Sequence, residues 1–456
     1  FNYADFDDKS AKDAKENLVE VKGFFILPSQ LFCNLQKRAK KDENLNTTIE
    51  TIFRAIEDSA KGTESENDFK GLFDDFDVNS NSLGKTVPKR NEMLCKLLDG
   101  VASMELSINN ETSIDAFGDA YEYLMGMYAS EAGKSGGEYF TPQEVSELLT
   151  RITLVDKTEV NKVYDPACGS GSLLLKFAKI LGKDKVRQGF YGQEINPTTY
   201  NLCRINMFLH DIDYDHFDIA YGDTLINPQH WDDEPFEAIV SNPPYSIQWE
   251  GDDNTLLIND ERYSPAGVLA PKRYADMAFI MHSLTWLAEN GTAAIVCFPG
   301  IMYRGGAEQK IRKYLIDHNF IDCIIQLPEN LFFGTQIATC ILVLKKSSKV
   351  DNSVLFIDAS KECVKVTNSN KLTNENISTI INTYKERKDK EYLSKLVSNE
   401  EIEKEKYNIS VSTYVEKEDT REIININELN KKIAEIVKHE QELRNEIDKI
   451  IAEIEV

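Results

Sequence analysis

The segment "VYDPACGSGSLLL", residues 163–175, decides the fold of this chain. Its first three residues resemble the end of a buried strand, which Asp165 closes. Gly169 and Gly171 then permit a tight turn with close backbone approach, and a helix is predicted to open directly after them. A dinucleotide-binding fingerprint would place a third glycine near position 174, where leucine stands, which disfavours a nicotinamide cofactor. Taken alone, the two glycines are equally compatible with a purely structural turn.

Downstream of this segment, short β-rich runs alternate with helical patterns. Such alternation predicts an α/β fold with a largely parallel sheet and helices on both faces. The last two β-rich runs, residues 320–328 and 338–346, are separated by a short loop, which predicts an antiparallel pair at one edge. On this interpretation the sheet is complete by about residue 345, and residues 345–420 form a charged connecting region.

Both flanks of the α/β region are predicted to be helical. Residues 1–130 carry apolar residues at three- and four-residue spacing, which is typical of amphipathic helices. The tail carries about four heptads of a coiled-coil pattern. Its seam consists of Ile426, Leu429, Ile433, Ile436, Leu443, Ile447, Ile450 and Ile454. The alternative is a helix packed back on its own domain. We therefore expect three domains: a helical domain at 1–130, an α/β domain at 131–385 and a C-terminal region at 386–456.

The composition narrows the classes of function. The formal net charge is −24. A protein that binds nucleic acid without a partner protein usually presents a basic surface instead. No apolar run approaches the roughly 20 residues that span a bilayer. The eight cysteines form no Cys-x-x-Cys pair and the six histidines are scattered, which argues against a disulfide framework and a structural metal. We expect a cytoplasmic protein. Because the chain starts with Phe1 rather than Met, a leading segment is expected to be missing.

Acidic residues recur at successive predicted strand ends. Glu194 ends the run "YGQE", near the position where such folds place an acid against two ribose hydroxyls. A carboxylate accepts hydrogen bonds from a diol better than a neutral side chain does. Asp223 ends the run "AYGD" and could accept from an adenine amino group. Since ligands of open parallel sheets bind beyond the carboxyl ends of the strands, Asp165, Glu194 and Asp223 predict a nucleoside site.

The next predicted strand ends in "SNPPYS", residues 241–246. Two prolines remove two backbone donors and fix two φ angles, so the strand must stop there. An ordinary strand-end turn is the alternative for the Asn-Pro pair itself. The tyrosine after the second proline and the acids upstream favour a functional site instead.

These elements together resemble the ordered motifs of S-adenosylmethionine-dependent amino-methyltransferases. The segments "GGEYFTPQEVSELL" (136–149), "GQEINPTTYNLCRINMFLHD" (192–211) and "NPPYS" further resemble the modification subunit of type I restriction-modification systems. The likeness covers roughly residues 60–456. It implies a Rossmann-like methyltransferase sheet, flanked by an N-terminal helical domain and a C-terminal coiled-coil-like helix, with S-adenosylmethionine as the cofactor.

By this resemblance, two groups of residues build the site. The cofactor-binding residues are Glu138, Tyr139, Phe140, Thr141, Pro142, Gln143, Asp165, Ser170, Gly171, Ser172, Glu194 and Asp223. The catalytic residues are Asn242, Pro243, Pro244 and Tyr245. No metal is implied. Judged from its residue types alone, Thr141 to Glu144 is also a capping box with Pro142 at the first helical position, and a well-capped helix is its simplest interpretation.

The Asn-Pro-Pro-Tyr turn suits methyl transfer to an exocyclic amine. The adenine amine is a poor nucleophile because its lone pair is delocalised into the ring. The Asn242 side-chain oxygen and the Pro243 carbonyl can each accept one N–H, which frees that lone pair. The prolines hold both acceptors rigidly, and Tyr245 offers a face on which a flipped-out base can stack.

We therefore expect a subunit that methylates N6 of adenine in DNA within a type I restriction-modification complex. A methyltransferase acting on a glutamine side chain or an RNA base, and a scaffold without activity, remain alternatives. The resemblance implies DNA and a specificity subunit as partners, two modification chains flanking one specificity subunit, and leaves open a restriction subunit. The acidic chain is expected to reach DNA through that partner, docked on the C-terminal seam, with no membrane involved.

Overall fold

The computed structural model describes residues 2–103, 141–332, 336–347, 349, 351–366, 369–418 and 426–454. These residues divide into two units, Phe1–Val415 and Glu416–Val456. The predicted domain boundary near residue 130 lies outside the described residues. In the described part of the chain, no helix has the length and apolar character needed to cross a membrane.

The first unit opens with a helical region. The helices α1 to α6 span Asp8–Asp13, Lys15–Lys22, Phe32–Ala39, Leu45–Ala60, Glu66–Phe69 and Val87–Ala102. In α4, Leu45, Ile49, Ile52 and Ile56 recur at steps of four, three and four, so they share one face, and all four are buried in a common core. The predicted N-terminal helical region is confirmed.

A mixed sheet forms the centre of the first unit. Strands β1 to β8 span Val163–Asp165, Phe190–Glu194, Phe217–Tyr221, Phe236–Ser241, Leu287–Cys297, Ile321–Gln326, Cys340–Leu344 and Ser353–Asp358. Strands β9 to β11 span Val364–Val366, Ser369–Lys371 and Ser394–Ser398. The sheet order is β11-β8-β6-β7-β5-β4-β1-β2-β3, and β9 and β10 pair separately. The strands from β3 through β2, β1 and β4 to β5 are all parallel, so their carboxyl ends share one edge.

The far half of the sheet corrects two expectations. The predicted antiparallel pairing of β6 with β7 is confirmed. Their place at an edge is wrong, because β7 lies between β5 and β6 and is antiparallel to both. The expectation that the sheet is complete by about residue 345 is also wrong, because β8 and β11 extend it beyond β6. Short strands between charged loops, such as β11, give too little periodicity to stand out in a sequence.

Helices cover both faces of this sheet. The helices α7 to α14 span Gln143–Thr153, Ser172–Leu181, Pro197–Leu209, Asp276–Trp286, Ala307–Asp317, Asn374–Glu386, Asn399–Lys404 and Val411–Tyr414. Successive strand residues point to opposite faces, and adjacent residues such as Tyr164 and Val163 accordingly belong to two different cores. Residues of α10 and α11 pack in the first core, and residues of α7, α8 and α12 pack in the second. The predicted α/β architecture is confirmed.

The N-terminal helices are joined to α9 through a buried arginine. Arg204 is 1% exposed, and its Nη1 donates to the carbonyl oxygens of Asn67, Asp68 and Lys70 at 2.9–3.1 Å. A guanidinium that satisfies three carbonyls offsets much of the loss of its own hydration. Because α9 follows the end of β2 directly, this anchor helps to hold one side of the strand-end edge.

The second unit contains one helix in its described residues, α15, which spans Ile426–Ile454. The predicted helical tail is therefore confirmed. None of the residues of α15 is buried, and the predicted seam residues are between 46% and 77% exposed. The role of this seam stays a prediction.

Candidate active site

A cavity of about 300 Å³ lies beyond the carboxyl ends of β1, β2, β3 and β4. Eight of the predicted site residues line it: Thr141, Asp165, Ser170, Ser172, Glu194, Asp223, Asn242 and Pro244. Four others are sequence neighbours of lining residues without lining the cavity themselves: Pro142, Gly171, Pro243 and Tyr245. Gln143 is the first residue of α7 and does not line the cavity. The predicted residues Glu138, Tyr139 and Phe140 lie outside the described residues. The parallel strands thus bring together side chains that are far apart in the sequence.

The glycine turn between β1 and α8 has two distinct functions. Gly171 is the N-cap of α8 with φ +81°, a conformation that favours glycine, and an added Cβ would lie 2.7 Å from Sγ of Cys203. Gly171 therefore allows α8 to pack closely on α9. Gly169, with φ +54°, lines the cavity and turns its backbone N–H toward Glu194. The helix begins at Ser172, as predicted.

Glu194 connects the glycine turn with the end of β2. Its Oε2 accepts the Gly169 N–H at 2.8 Å, and its Oε1 accepts the Asn196 N–H at 2.8 Å. A carboxylate offers about four acceptor positions, so each oxygen keeps one for a ligand. Glu194 therefore holds the loop and faces the cavity at the same time.

Asp165 is the most deeply buried acid of the cavity. Its Oδ1 accepts the Ala167 N–H at 3.0 Å and the Ser241 hydroxyl at 2.9 Å. Its Oδ2 is buried and has no hydrogen-bond partner among the described residues. Burial raises the pKa of Asp165 to about 7, and the nearby charge of Glu194 acts in the same direction. An unpaired buried acceptor in a cavity wall suits a cationic or N–H-bearing ligand.

The charge of the cavity wall is negative. Asp223, the third strand-end acid, uses Oδ1 to accept the Leu225 N–H at 2.9 Å. Burial raises its pKa, and the nearby Glu250 carboxylate also does so. With Asp165 and Glu194 the wall holds three acids, and it contains no lysine or arginine among the described residues. Such a wall favours a positively charged ligand.

Thr141 departs from its predicted capping role. Helix α7 begins at Gln143, its N-cap is Pro142, and no side chain caps it. The Thr141 hydroxyl is instead turned toward the Asn-Pro-Pro-Tyr turn, where it accepts the Asn242 Nδ2–H at 3.0 Å. The capping-box prediction is therefore wrong. The N-cap residue is Pro142, whose side chain has no acceptor and therefore cannot bond to the first N–H groups of the helix.

The Asn-Pro-Pro-Tyr turn is held at several points. The Tyr245 hydroxyl donates to Oδ1 of Asn242 at 2.5 Å. Ser246 has φ +53°, and its N–H donates to both carboxylate oxygens of Asp276 at 3.1 and 3.3 Å. Asp276 is 5% exposed and lies in the first turn of α10. The turn that ends β4 is thus braced by a buried acid from the helix behind it.

Sequence reasoning missed much of the apolar and neutral lining. The missed residues include Gln193, Ile195, Asn196, Thr199, Thr224, Leu225, Ile247, Gln248, Trp249 and Phe279. Ile195 directly follows Glu194 in the sequence, so its place beside a predicted strand-end acid was a usable signal. Phe279 comes from the N-terminal half of α10, where its helical pattern is the same as that of any core residue. No sequence signal marks it.

One cluster of potential metal ligands occurs among the described residues, namely Asp218, His230 and Asp233. His230 is buried, with Nε2 3.0 Å from the Gly192 carbonyl and Nδ1 3.1 Å from the Asp233 carboxylate. Both partners are acceptors, so both ring nitrogens carry protons and neither has a lone pair for a metal. The Asp233 and Asp218 carboxylates raise the pKa of His230 against the opposing effect of burial. The cluster is an ion pair between a buried histidine and two more exposed carboxylates, and His230 ties the loop after β3 to β2.

The fold and the site together define a class. Strands β3, β2, β1, β4 and β5 are parallel and lie in that order, and β7 is antiparallel. Together with the glycine turn and the strand-end acids, this arrangement is that of a Rossmann-like S-adenosylmethionine-dependent methyltransferase. The family model for N-6 DNA Methylase matches residues 112–423, and the model for the HsdM N-terminal domain matches residues 3–101.

Two relatives and one solved structure support the same family. The type I restriction enzyme MpnII methylase subunit of Mycoplasma pneumoniae is 49% identical over 472 residues, covering 100% of this chain and 87% of that protein. The MjaVII methylase subunit of Methanocaldococcus jannaschii is 34% identical over 348 residues, covering 74% of this chain and 59% of that protein. A crystal structure of a type I restriction-modification methyltransferase subunit from Streptococcus thermophilus is 35% identical with a TM-score of 0.80, covering 91% of this chain and 86% of that chain.

The chain belongs to the N-6 DNA Methylase family. It is an S-adenosylmethionine-dependent, adenine-specific DNA methyltransferase subunit of a type I restriction-modification system. The expected cofactor, reaction and family are thereby confirmed. The alternatives of a glutamine or RNA methyltransferase and of an inactive scaffold are set aside.

Proposed function

We propose that the cavity beyond β1 to β4 is the site of methyl transfer. Its catalytic wall is proposed to be the turn of Asn242, Pro243, Pro244 and Tyr245, which reaches the cavity through Asn242 and Pro244. One observation carries this assignment. Asn242 and Pro244 line the same cavity as Asp165, Glu194 and Asp223, so a cofactor held by the acids would face the turn. The distance between these groups in the sequence makes an accidental convergence a poor explanation.

The residues of the cavity fit S-adenosylmethionine. The unpaired Oδ2 of Asp165 and the acidic wall suit a ligand with a sulfonium and an ammonium group. Glu194 has free acceptor positions for two ribose hydroxyls, and Asp223 for an adenine amino group. Ser170 and Ser172 lie on the same wall. Residues 138–143 are proposed to close the methionine side, of which Thr141 is the one that lines the described cavity.

The catalytic wall prepares the adenine amine for attack. When bound, S-adenosylmethionine supplies a methyl group that its sulfonium activates. Oδ1 of Asn242 and the carbonyl of Pro243 each accept one N–H of the target amine, drawing the nitrogen lone pair out of the ring. Both acceptors are rigid, since the turn is fixed by two prolines and by the contact of Ser246 with Asp276. The surplus proton leaves along the accepting oxygens to water.

Tyr245 has two proposed roles at this wall. Its hydroxyl donates to Oδ1 of Asn242, which leaves the second lone pair of that oxygen for the target amine. Its ring is proposed to stack on the flipped-out adenine, as aromatic side chains do in enzymes that extrude a base. Burial raises the pKa of Tyr245, so the hydroxyl stays protonated and acts as a donor.

We propose that this subunit meets DNA as part of a complex in the cytoplasm. A chain with a net charge of −24 has little attraction of its own for a polyanion. The seam of α15 presents apolar residues along a 29-residue helix with no buried residue, which suits docking on long helices of a specificity subunit. Two such chains would flank one specificity subunit, and a restriction subunit would be a further partner. Strand β11 lies beyond the predicted boundary at residue 385 and belongs to the sheet, so in this proposal α15, rather than all of 386–456, serves assembly.

The test of the catalytic wall is transfer of radiolabelled methyl groups to plasmid DNA, with the specificity subunit present. We expect Asn242→Ala to abolish methylation while cofactor affinity, measured by calorimetry, stays close to wild type. Asn290→Ala is the matched control, because Asn290 is exposed and donates to Glu237 away from the cavity. Methylation by Asn242→Ala at a rate near wild type would exclude the proposed role of Asn242.

A further inference from the structure

The bond between Asn242 and Thr141 has no part in the chemistry proposed above. Nδ2 of Asn242 donates to Oγ1 of Thr141 at 3.0 Å, across 101 positions of sequence. Thr141 is 6% exposed, and like Asn242 it lines the cavity. The buried Thr141 hydroxyl thus binds the NH₂ end of the Asn242 side chain, whereas the oxygen end is the proposed acceptor for the target amine.

The position of Thr141 is held by the helix that follows it. The next residue, Pro142, caps α7, and its carbonyl accepts the Val145 and Ser146 N–H groups, each at 2.9 Å. Helix α7 is anchored by side chains that are fully buried against the sheet, Val145 and Leu148 among them. The Thr141 hydroxyl therefore has little freedom to move relative to β4, whose end carries Asn242.

The two ends of the Asn242 carboxamide are alike in size and opposite in chemistry. Nδ2 is a donor of two hydrogen bonds, and Oδ1 is an acceptor. A rotation of 180° about the last side-chain bond would place the NH₂ group where the proposed reaction needs an acceptor, and two donors would then face each other. Shape alone does not prevent that rotation. Because a hydroxyl can accept or donate, Thr141 acts by holding the carboxamide in the arrangement that the structure shows, with Nδ2 at Thr141 and Oδ1 at the Tyr245 hydroxyl.

We propose that Thr141 is a positioning residue that holds Nδ2 of Asn242, so that Oδ1 faces the target amine. Tyr245 supports the same orientation from the other end, because its hydroxyl donates to Oδ1. The inference rests on the proposed role of Asn242 and adds a residue that acts on the target-amine half of the reaction. Thr141 was assigned to cofactor binding by family resemblance, and the two roles predict different kinetic effects.

The experiment compares three variants in the complex with the specificity subunit and plasmid DNA. Thr141→Val keeps the shape of the side chain and removes the acceptor, whereas Thr141→Ser keeps the hydroxyl. Thr150→Val is the matched control, since Thr150 is fully buried in the same helix. Among the described residues, its hydroxyl hydrogen-bonds to the carbonyl of Ser146 and to no other group. The measurements are kcat at saturating substrates, the cofactor Kd and the thermal midpoint. Thr141→Ala replaces Thr141→Val if the valine variant does not fold.

We expect kcat of Thr141→Val to fall about tenfold, the effect of one lost hydrogen bond, with the cofactor Kd within about twofold of wild type. Thr141→Ser should restore most of the rate, and Thr150→Val should keep it. Three results would overturn the inference: full kcat in Thr141→Val, a serine variant as slow as the valine variant, or a change confined to the cofactor Kd. If Asn242→Ala itself remained active, the proposed function would fail first, whatever Thr141 did.

Discussion

The strand-end cavity and the C-terminal helix differ in how the sequence encodes them. The cavity collects residues between positions 141 and 279, and its key contacts join groups such as Thr141 and Asn242 that are far apart in the chain. The seam of α15 is a local pattern within 29 residues, and none of it is buried. Changes in the cavity should therefore alter cofactor binding and chemistry, whereas changes in the helix should alter assembly alone.

The largest effect is expected from a charge on the seam. Ile436→Asp or Ile447→Asp, or deletion of residues 425–456, should abolish stable assembly with the specificity subunit, since an uncompensated buried charge costs about 3–5 kcal/mol. Cofactor binding should persist, because among the described residues the last sheet strand ends at Ser398 and the last buried residue is Val415. Size-exclusion chromatography of the mixed subunits measures the first effect, and calorimetry the second.

Asn445→Asp is the control for these seam variants. It adds the same charge to an exposed position of α15 outside the seam, so assembly should be unchanged. If the truncated chain still assembled at full strength, the specificity subunit would dock on another surface and the contrast between cavity and helix would fail.

A smaller effect is expected from Glu194. Glu194→Ala should weaken S-adenosylmethionine binding by roughly 2–4 kcal/mol, because two charge-assisted acceptors for the ribose are lost. Glu194→Ala also removes the acceptor of the Gly169 N–H, so part of the loss in affinity is expected to come from a change in the glycine turn. Glu194→Gln keeps one oxygen acceptor, so its cofactor affinity should lie between those of the wild type and Glu194→Ala. Calorimetry on the isolated chain measures all three proteins, and an unchanged affinity in Glu194→Ala would remove Glu194 from the site.

The smallest effect is a pH dependence of cofactor binding. The pKa of Asp165 is raised to about 7, and a cationic ligand favours its ionised form. Below that pH, binding must expel a proton, so affinity should fall by at most about tenfold per pH unit as the pH drops from 7. The Kd measured between pH 5.5 and 8 tests this, and Asp165→Asn should flatten the profile. A wild-type profile without slope would separate Asp165 from the ligand.

The same shift has a consequence for the free protein. Because the pKa of Asp165 in the fold lies above its unfolded value, the contribution of this carboxyl to stability is fully present below about pH 4. It is lost as the pH rises through about 7. Denaturant unfolding of Asp165→Asn and wild type without cofactor should therefore differ in how stability changes over this range.

Prediction from sequence was most reliable where one short segment contained the whole signal. The strand ending at Asp165, the helix opening at Ser172 and the 29-residue tail helix were all predicted at the positions where they lie. Prediction was wrong where the partner of a segment is remote. The place of β7 between β5 and β6 depends on pairing across the sheet, and the true partner of Thr141 is Asn242 rather than its own helix.

The sequence by itself determined the class of fold, the order of the strand-end acids and the Asn-Pro-Pro-Tyr turn, because periodicity and turn chemistry act over a few neighbouring residues. Only the tertiary structure decided which of those residues share a cavity and which hydrogen-bond partner each one has. It also revealed lining residues such as Phe279, whose local pattern is that of the core. The physical reason is that burial and hydrogen bonding depend on distances in space, and the folding of parallel strands brings distant residues to one edge.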